Sequence, residues 1–198
     1  MRKSIGLLSL VVMLGFTVAP TAYGVMLSVV PESPTVNVGG TFSVDVIAAG
    51  LLDGSAPSIG TYDLNVGYDA GLLSLANVTF GNGLDVLGLG SFRDFSASTP
   101  GLANVFELSF DSIADLNSLQ VDTFKLFTLT FSANSIGTSV FGLTINALGD
   151  AEGNPLAADI RNASVSVTPV PLPAAPWLLL SGLGAVAGFV RRRKLATR

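Results

Sequence analysis

The sequence predicts an all-β protein whose central part folds as one antiparallel β-sandwich. Apolar and polar residues alternate with a period of two in segment after segment, which is the spacing of side chains on one face of a strand. Glycine- and asparagine-rich turns, such as Gly39-Gly40 and Gly81-Asn82-Gly83, separate these segments. Uncharged apolar runs at both ends predict an N-terminal signal helix and a single C-terminal transmembrane helix. We therefore divide the 198-residue chain into 1–24, 25–168 and 169–198.

The N-terminus predicts a secretory signal peptide. Arg2 and Lys3 form a basic start. Ile5 to Val18 follows as an apolar run of about 14 residues, which is too short to span a bilayer comfortably. Small residues before the domain predict that signal peptidase cleaves between Gly24 and Val25. The alternative is an N-terminal helix that is never cleaved.

The middle of the chain predicts at least eight strands in a single domain. Two of these strands are Met26 to Val30 and Leu73 to Phe80, and Ser112 to Leu119 has the spacing of one or two helical turns. One-sided strands form antiparallel sheets with one solvated face, and two packed sheets bury the apolar faces. In the other strands we expect these alternating residues to face the core: Phe42, Val44, Val46, Tyr62, Leu64, Val66, Tyr68, Phe106, Leu108, Phe110, Phe127, Leu129, Phe131, Phe141, Leu143, Ile145, Ala163, Val165 and Val167.

The acidic charge of the middle domain limits its partners. All 14 acidic residues lie in 25–168 with only three of the ten basic ones, Arg93, Lys125 and Arg161, so the domain carries a formal charge of −11. It would repel the phosphates of a nucleic acid, so we expect no nucleic-acid partner. The chain has no cysteine and no histidine. This excludes disulfides, Ser-His-Asp and Cys-His catalysis, and the usual zinc sites.

One short segment has the spacing of a calcium loop. Asp150, Glu152 and Asn154 place oxygen-bearing side chains at alternate positions around Gly153. The complete EF-hand pattern is missing, and a polar hairpin turn explains the same residues. Calcium is the only cofactor that the sequence suggests.

Candidates for a binding or catalytic surface are few. The domain has no tryptophan, and its tyrosines fall in phase with the inward face, so a platform of exposed aromatic rings for sugars is not indicated. We take as the candidate contact surface the outward residues Asp63 and Asn65, with Phe92 and Phe95 from the predicted loop Ser91 to Phe95. A pair of carboxylates could make a glycosidase. No pair is marked by its context, so no catalytic residue is predicted.

The C-terminus joins three parts in order. A proline-spaced segment leads into the uncharged run Ala174 to Val190. That run is about 17 residues or roughly 25 Å as a helix, at the short end of what crosses a bilayer. A basic stop follows and would stay on the cytoplasmic side; it consists of Arg191, Arg192, Arg193 and Lys194. These observations fit either a membrane anchor or a sorting signal that an enzyme reads.

The same residues resemble the PEP-CTERM sorting domain. Its VPLPAA variant is matched by Val170, Pro171, Leu172, Pro173, Ala174 and Ala175, although Leu172 stands where the founding motif has glutamate. The resemblance implies recognition by an exosortase, an enzyme in the inner membrane of Gram-negative bacteria. It further implies an inner-membrane-anchored precursor, later released or attached at the cell surface, and a link to exopolysaccharide.

Several blocks of the middle domain resemble cohesin domains. The blocks run along most of the domain and are Pro34 to Val44, Gly60 to Asp69, Leu126 to Phe131, Gly149 to Leu156 and Asn162 to Val167. The resemblance implies a nine-stranded jelly roll, akin to cohesins and carbohydrate-binding modules. Cohesins bind dockerin modules in cellulosomes, but this chain has no dockerin-like calcium repeat.

These patterns together lead to an expectation about function. We expect a non-enzymatic exported protein of the cell surface or extracellular matrix, with a binding module linked to exopolysaccharide or biofilm. Its expected partners are signal peptidase, the exosortase, the inner membrane, and an exopolysaccharide or a surface protein. The alternatives are a secreted enzyme that acts on polysaccharide and an unprocessed, membrane-anchored adhesion protein.

Overall fold

The computed structural model describes residues 24–171, which form two β-sheets packed face to face. In chain order the elements are β1 (Val25–Pro31), β2 (Thr35–Asn37), β3 (Thr41–Ala49), β4 (Ile59–Gly67), β5 (Leu73–Phe80), β6 (Ser91–Ser96), β7 (Leu102–Ser109), α1 (Ile113–Leu119), β8 (Phe124–Ala133), β9 (Gly137–Asp150), β10 (Ala158–Arg161) and β11 (Ala163–Thr168). Sheet A has the strand order β10-β1-β3-β8-β5, and sheet B has the order β2-β11-β9-β4-β7-β6. The predicted β-sandwich is confirmed.

Most neighbouring strands are antiparallel, as predicted. Between residues 24 and 171 the exceptions are two parallel pairs, β1 with β10 and β2 with β11. One member of each pair is a short edge strand, of 3 residues in β2 and 4 residues in β10. Strands this short are hard to find by alternation, because two or three side chains do not establish a period. The described part of the chain therefore has more strands than the nine that the resemblance implied.

The core between the sheets is formed by the alternating residues that the sequence assigned to it on nearly every strand. Phe131 of β8 lies at its centre, with its ring centroid 5.8 Å from that of Phe42 and 5.3 Å from that of Phe141. Burying one such side chain contributes about 1.5–3 kcal/mol. The predicted inward residues that are buried are Phe42, Val44, Val46, Tyr62, Leu64, Val66, Phe127, Leu129, Phe131, Phe141, Leu143, Val165 and Val167.

The prediction for β7 is wrong, because this strand turns its other face to the core. Val105 and Glu107 are fully buried, whereas Phe106 is only half-buried and Leu108 and Phe110 are exposed. Opposite residues in an antiparallel pair lie on the same face of the sheet. The register between β4 and β7 places Val105 opposite a buried leucine of β4. Pairing with β4 therefore decides the orientation of a strand that has apolar residues on both faces.

Two local predictions in this region have different outcomes. The predicted loop Ser91 to Phe95 is instead the edge strand β6, which pairs along its length with β7. The predicted short helix is confirmed as α1. Ser112 caps its N-terminus, where the side-chain oxygen accepts a hydrogen bond from the backbone N–H of Asp115. Leu116 anchors the helix as its buried residue.

The chain enters and leaves the sandwich at opposite ends. Val25 starts β1 beside the end of β3, where Met26 pairs with Ala49. At the other end of β3, the carbonyl of Thr168 at the end of β11 accepts a hydrogen bond from Val38. Among residues 24–171, no helix is long and apolar enough to cross a membrane. The predicted signal helix, the sorting motif beyond Pro171, the transmembrane helix and the basic stop lie outside the described residues.

Candidate functional site

The outward side chains of β4, β6, β7 and β9 form a surface that we call the outer face of sheet B. Its centre is a polar network of one carboxylate and three amides: Asp63, Asn65, Asn104 and Asn146. The Nδ2 atom of Asn104 donates to Asp63 Oδ1 at 2.6 Å and to Asn65 Oδ1 at 3.0 Å. Asn146 Nδ2 donates to the same oxygen of Asp63 at 3.0 Å, and Asn65 Nδ2 donates to Asn146 Oδ1 at 3.0 Å. Hydrogen bonds across three strands thus hold these side chains in fixed positions.

An apolar strip lies beside the polar network, on the side towards the edge strand β6. We define it as Phe92, Phe106 and Leu108. Phe92 pairs with Leu108 in the register of β6 and β7, and the rings of Phe92 and Phe106 meet edge to face with centroids 5.9 Å apart. Phe92 is 54% exposed and Leu108 is 43% exposed. Contiguous exposed apolar side chains next to fixed polar groups are typical of an interaction surface.

The structure brings together three of the four residues of the predicted contact surface. Asp63, Asn65 and Phe92 share the outer face of sheet B. Phe95 lies on the other face of β6, because it pairs with Val105, whose side chain points into the core. It stays half exposed because β6 is an edge strand.

Sequence reasoning missed several members of this face. Asn104, Phe106 and Leu108 were hidden by the wrong orientation of β7. Asn146 contacts Asp63 in the fold but is 83 residues away from it in the sequence. For Asn104 a usable signal existed, since the alternation of Ala103 and Val105 would have placed it outside.

A buried carboxylate lies beneath the apolar strip and holds β6 in place. Glu107 is 1% exposed, and its Oε1 accepts hydrogen bonds from Ser91 Oγ at 2.6 Å and from Arg93 Nε at 2.8 Å. Its Oε2 accepts a hydrogen bond from the Tyr62 hydroxyl at 2.8 Å. Burial, together with the neighbouring Glu107 carboxylate, raises the pKa of Tyr62 far above its ordinary value. Both oxygens of Glu107 are thus occupied, which suits a structural carboxylate better than a catalytic acid or base.

The same arginine also ties the two sheets together at this edge. Arg93 Nη2 donates to the carbonyl of Gly81 at 3.0 Å, just beyond the end of β5 in sheet A. Its guanidinium carbon lies 5.6 Å from the ring centroid of Phe80. Through Arg93, edge strand β6 of sheet B is therefore fastened to edge strand β5 of sheet A.

The residues predicted to bind calcium form a hydrogen-bonded turn at the end of β9. Asp150 Oδ1 accepts from the backbone N–H groups of Glu152 at 2.9 Å and Asn154 at 2.8 Å. The side-chain nitrogen of Asn154 donates to Asp150 Oδ2 at 3.1 Å and to Glu152 Oε2 at 3.3 Å. Within 24–171, no group of three acidic, histidine or cysteine side chains is arranged to hold a metal ion. Calcium binding at this turn stays a prediction.

Comparisons with known proteins relate this sandwich to cohesins. No protein-family profile matches the chain, and no curated protein matches it in sequence. The sixth cohesin of scaffoldin B from Acetivibrio cellulolyticus, solved in complex with a Cel5 dockerin, has a TM-score of 0.59 at 20% identity, over 73% of this chain and 99% of that one. A non-cellulosomal cohesin from the archaeon Archaeoglobus fulgidus has a TM-score of 0.55 at 18% identity, over 73% and 91% of the two chains.

A third similar structure is the cohesin module of a family 33 glycoside hydrolase from Clostridium perfringens. Its TM-score is 0.53 at 16% identity, over 74% of this chain and 97% of that module. Residues 24–171 therefore have a cohesin-like fold, as the sequence blocks predicted.

Proposed function

We propose that this chain is an exported, non-enzymatic binding module that holds a protein partner on the outer face of sheet B. The observation that carries the proposal is the apolar strip, with Phe92 and Leu108 exposed, next to the polar network on the same sheet face. Aromatic side chains next to fixed polar groups are the composition of interface hot spots. The partner class that we propose is a protein of the cell surface or extracellular matrix.

The rigidity of this face supports binding. The polar network is held by hydrogen bonds between strands, and Phe106 is half-buried against Phe92. A partner would therefore lose little free energy in ordering these side chains. Cohesin-like structure adds support, since the scaffoldin B cohesin was solved with a dockerin bound to it. We do not extend that particular partner to this chain.

The ends of the domain bear on how the protein reaches the surface. We propose that signal peptidase cleaves between Gly24 and Val25 and that an exosortase in the inner membrane of a Gram-negative bacterium reads the motif Val170–Ala175. In support, Gly24 is exposed where the chain enters the sandwich, and Val170 and Pro171 are exposed where it leaves. A cut at either place would leave the strands of the sandwich intact.

Capture of matrix components tests the binding proposal. Immobilised segment 24–171 should retain a protein from the extracted surface and matrix of the producing bacterium. Phe92→Ser should weaken that binding at least about tenfold, because an aromatic anchor of a hot spot is lost. Ile160→Ser is the matched control, since it removes an exposed apolar residue from sheet A, and it should bind like the wild type.

Two other outcomes would redirect the proposal. Retention of exopolysaccharide alone, dependent on salt or calcium, would replace the protein partner by the polysaccharide, since a domain of charge −11 repels an anionic polymer unless cations screen it. Hydrolysis of the extracted matrix, abolished by changing a single Asp or Glu, would overturn the binding module in favour of an enzyme.

A further inference from the structure

The turn after β5 contains an asparagine that differs from every other asparagine of the chain. All ten asparagines of the sequence lie within residues 24–171, and Asn82 alone precedes a glycine. The residue that follows each of the others is valine, serine, alanine or proline. These nine are Asn37, Asn65, Asn77, Asn104, Asn117, Asn134, Asn146, Asn154 and Asn162. Asn82 therefore has the least crowded backbone on its C-terminal side, because glycine carries no Cβ atom.

The side chain of Asn82 also differs in its contacts. The other nine asparagine side chains each donate or accept at least one hydrogen bond within the described residues. The Asn82 side chain is exposed and takes part in no hydrogen bond between residues 24 and 171. The fold thus fixes nine of these amides and leaves the amide of Asn82 free to rotate.

The backbone N–H that follows Asn82 has no acceptor either. Gly83 donates no backbone hydrogen bond to any residue of 24–171. Asn134 is the matched comparison, because it too is exposed in a connection between two strands. Its side chain donates to Ser74 Oγ at 3.2 Å, and the N–H of the next residue donates to a carbonyl at 3.3 Å. Side chain and following N–H are therefore both held at Asn134 and both unoccupied at Asn82.

Packing requires the glycine at position 83. A Cβ atom there would overlap the ring of Phe124, the first residue of β8, which packs against the hydrophobic core. A larger residue would have to displace this ring, which is unfavourable in a closely packed interior. The pair of asparagine and glycine is thus imposed by the fold and is not merely tolerated in an exposed turn.

An exposed asparagine before a glycine can lose its side-chain amide without an enzyme. The deprotonated backbone nitrogen of Gly83 attacks Cγ of Asn82 and closes a five-membered succinimide ring, and the side-chain nitrogen leaves as ammonia. Water then adds to one of the two ring carbonyls and opens the ring. Cleavage at Cγ leaves aspartate, and cleavage at the backbone carbonyl carbon leaves isoaspartate, whose main chain runs through Cγ. The net reaction consumes one water molecule, releases one ammonia and adds a negative charge.

We propose that Asn82 is a site of spontaneous deamidation, through which the domain is weakened as it ages. This inference is independent of the proposed function. Isoaspartate lengthens the main chain by one methylene group between two residues that are held on either side. The N–H of Gly81 donates to the carbonyl of Leu126 at 2.8 Å, and the carbonyl of Gly83 accepts from Gln120 Nε2 at 2.8 Å. The added length strains at least one of these hydrogen bonds.

Peptide mapping of the full chain, purified in a mild detergent, tests the proposal. The chain is incubated at mildly acidic and at mildly alkaline pH and is then digested with pepsin in acid, where deamidation during digestion is slow. Mass spectrometry should find a gain of about one dalton at Asn82 before any other asparagine changes. The gain should be faster at alkaline pH, because the attacking nitrogen must lose its proton. An isoaspartyl methyltransferase should label the product, since it acts on isoaspartate and not on aspartate.

Two variants and one denaturant locate the effect. Asn82→Ser should abolish the early mass gain, whereas Asn134→Ser is the matched control and should leave it unchanged. In urea the hydrogen bonds at Asn134 are lost, so this residue should deamidate faster than in the folded chain, and Asn82 should change its rate less. A first mass gain at any other asparagine would overturn the proposal. So would folding that slows Asn82 as strongly as Asn134, because the fold would then protect both.

The unfolding temperature measures the consequence for the domain. The isoaspartate form of the aged wild type should unfold about 2–4 °C below the fresh protein, as expected for the loss of about one hydrogen bond in a domain of this size. Asn82→Ser should unfold like the fresh wild type, because the Asn82 side chain makes no hydrogen bond, and it should keep its unfolding temperature on ageing. An unchanged unfolding temperature of the isoaspartate form, or an equal fall in aged Asn82→Ser, would contradict the weakening of the domain.

Discussion

Strands β4 and β7 lie side by side in sheet B but distribute their side chains in opposite ways. The inner face of β4 is apolar and its outer face carries Asp63 and Asn65. On β7 the inner face carries Glu107, while Phe106 and Leu108 point outward. Strand β4 therefore contributes apolar side chains to the core, whereas β7 places apolar side chains on the surface. The difference teaches that β7 places apolar residues where stability alone would not place them, on the face where we propose that the partner binds.

The orientation of β7 buries Glu107, and the neighbours of this residue offset the energetic cost of its burial. A buried carboxylate is costly unless it is paired and hydrogen-bonded. Ser91 and Arg93 of β6 and Tyr62 of β4 donate three hydrogen bonds to it. Glu107, Tyr62, Ser91 and Arg93 therefore form a buried polar cluster on the inner face of β7, and the apolar strip lies on its outer face.

Matched substitutions on the two strands should have very different effects on folding. Leu64→Asp places an unpaired charge in the core through β4, which should cost several kcal/mol and leave the domain largely unfolded, since domain stability is about 5–15 kcal/mol. Leu108→Asp places the same charge on the outer face and should change stability by less than about 1 kcal/mol. Chemical denaturation followed by circular dichroism measures both. Equal destabilisation would mean that the orientation of β7 is wrong.

The buried cluster itself should be the next most sensitive place. Glu107→Ala leaves Arg93 and Ser91 without their acceptor and should cost about 2–4 kcal/mol, the range for breaking a buried ion pair with a partly exposed partner. Lys125→Ala breaks the more exposed pair with Asp45 and should cost no more than about 1 kcal/mol. Urea unfolding of the two variants gives the comparison. A Glu107→Ala variant as stable as Lys125→Ala would show that the inversion does not depend on this carboxylate.

A smaller effect should appear at alkaline pH. The folded protein holds the Tyr62 hydroxyl protonated, whereas the unfolded chain loses that proton near its ordinary pKa of 10.0. The free energy of unfolding that the protonated Tyr62 hydroxyl contributes is therefore fully present below about pH 10. It is lost as the pH rises further, by up to about 1.4 kcal/mol per pH unit. Tyr62→Phe should lower stability at neutral pH and flatten this alkaline decline. An identical decline in both proteins would place its origin elsewhere.

The phase of the apolar residues on each strand explains whether its orientation could be predicted from the sequence. From Thr61 to Gly67 of β4 the apolar residues occupy a single phase, so alternation alone identified the inner face there. Along β7 they occupy both phases, with Ala103 and Val105 competing against Phe106 and Leu108, and only the register with β4 decides between them. For the same reason the polar network was only half predicted. Asp63 and Asn65 follow from their own strand, but Asn104 depends on the orientation of β7.

The edge strand β6 shows a second limit. Its six residues, Ser91 to Ser96, are almost all exposed, so they show no buried face for alternation to reveal. Pairing with β7 makes them a strand. That pairing also separates Phe92 from Phe95, which the sequence had grouped as one contact surface.

Photo-crosslinking from Phe92 and Phe95 tests most directly whether a partner binds the outer face of sheet B. They lie on the same strand and are 54% and 50% exposed, but they point to opposite faces. Photoreactive benzoylphenylalanine would replace one or the other in the full chain, expressed in the producing bacterium. We predict that position 92 crosslinks to a surface or matrix protein and that position 95 does not. Equal crosslinking from both positions, or crosslinking from position 95 alone, would contradict a partner bound on the outer face of sheet B.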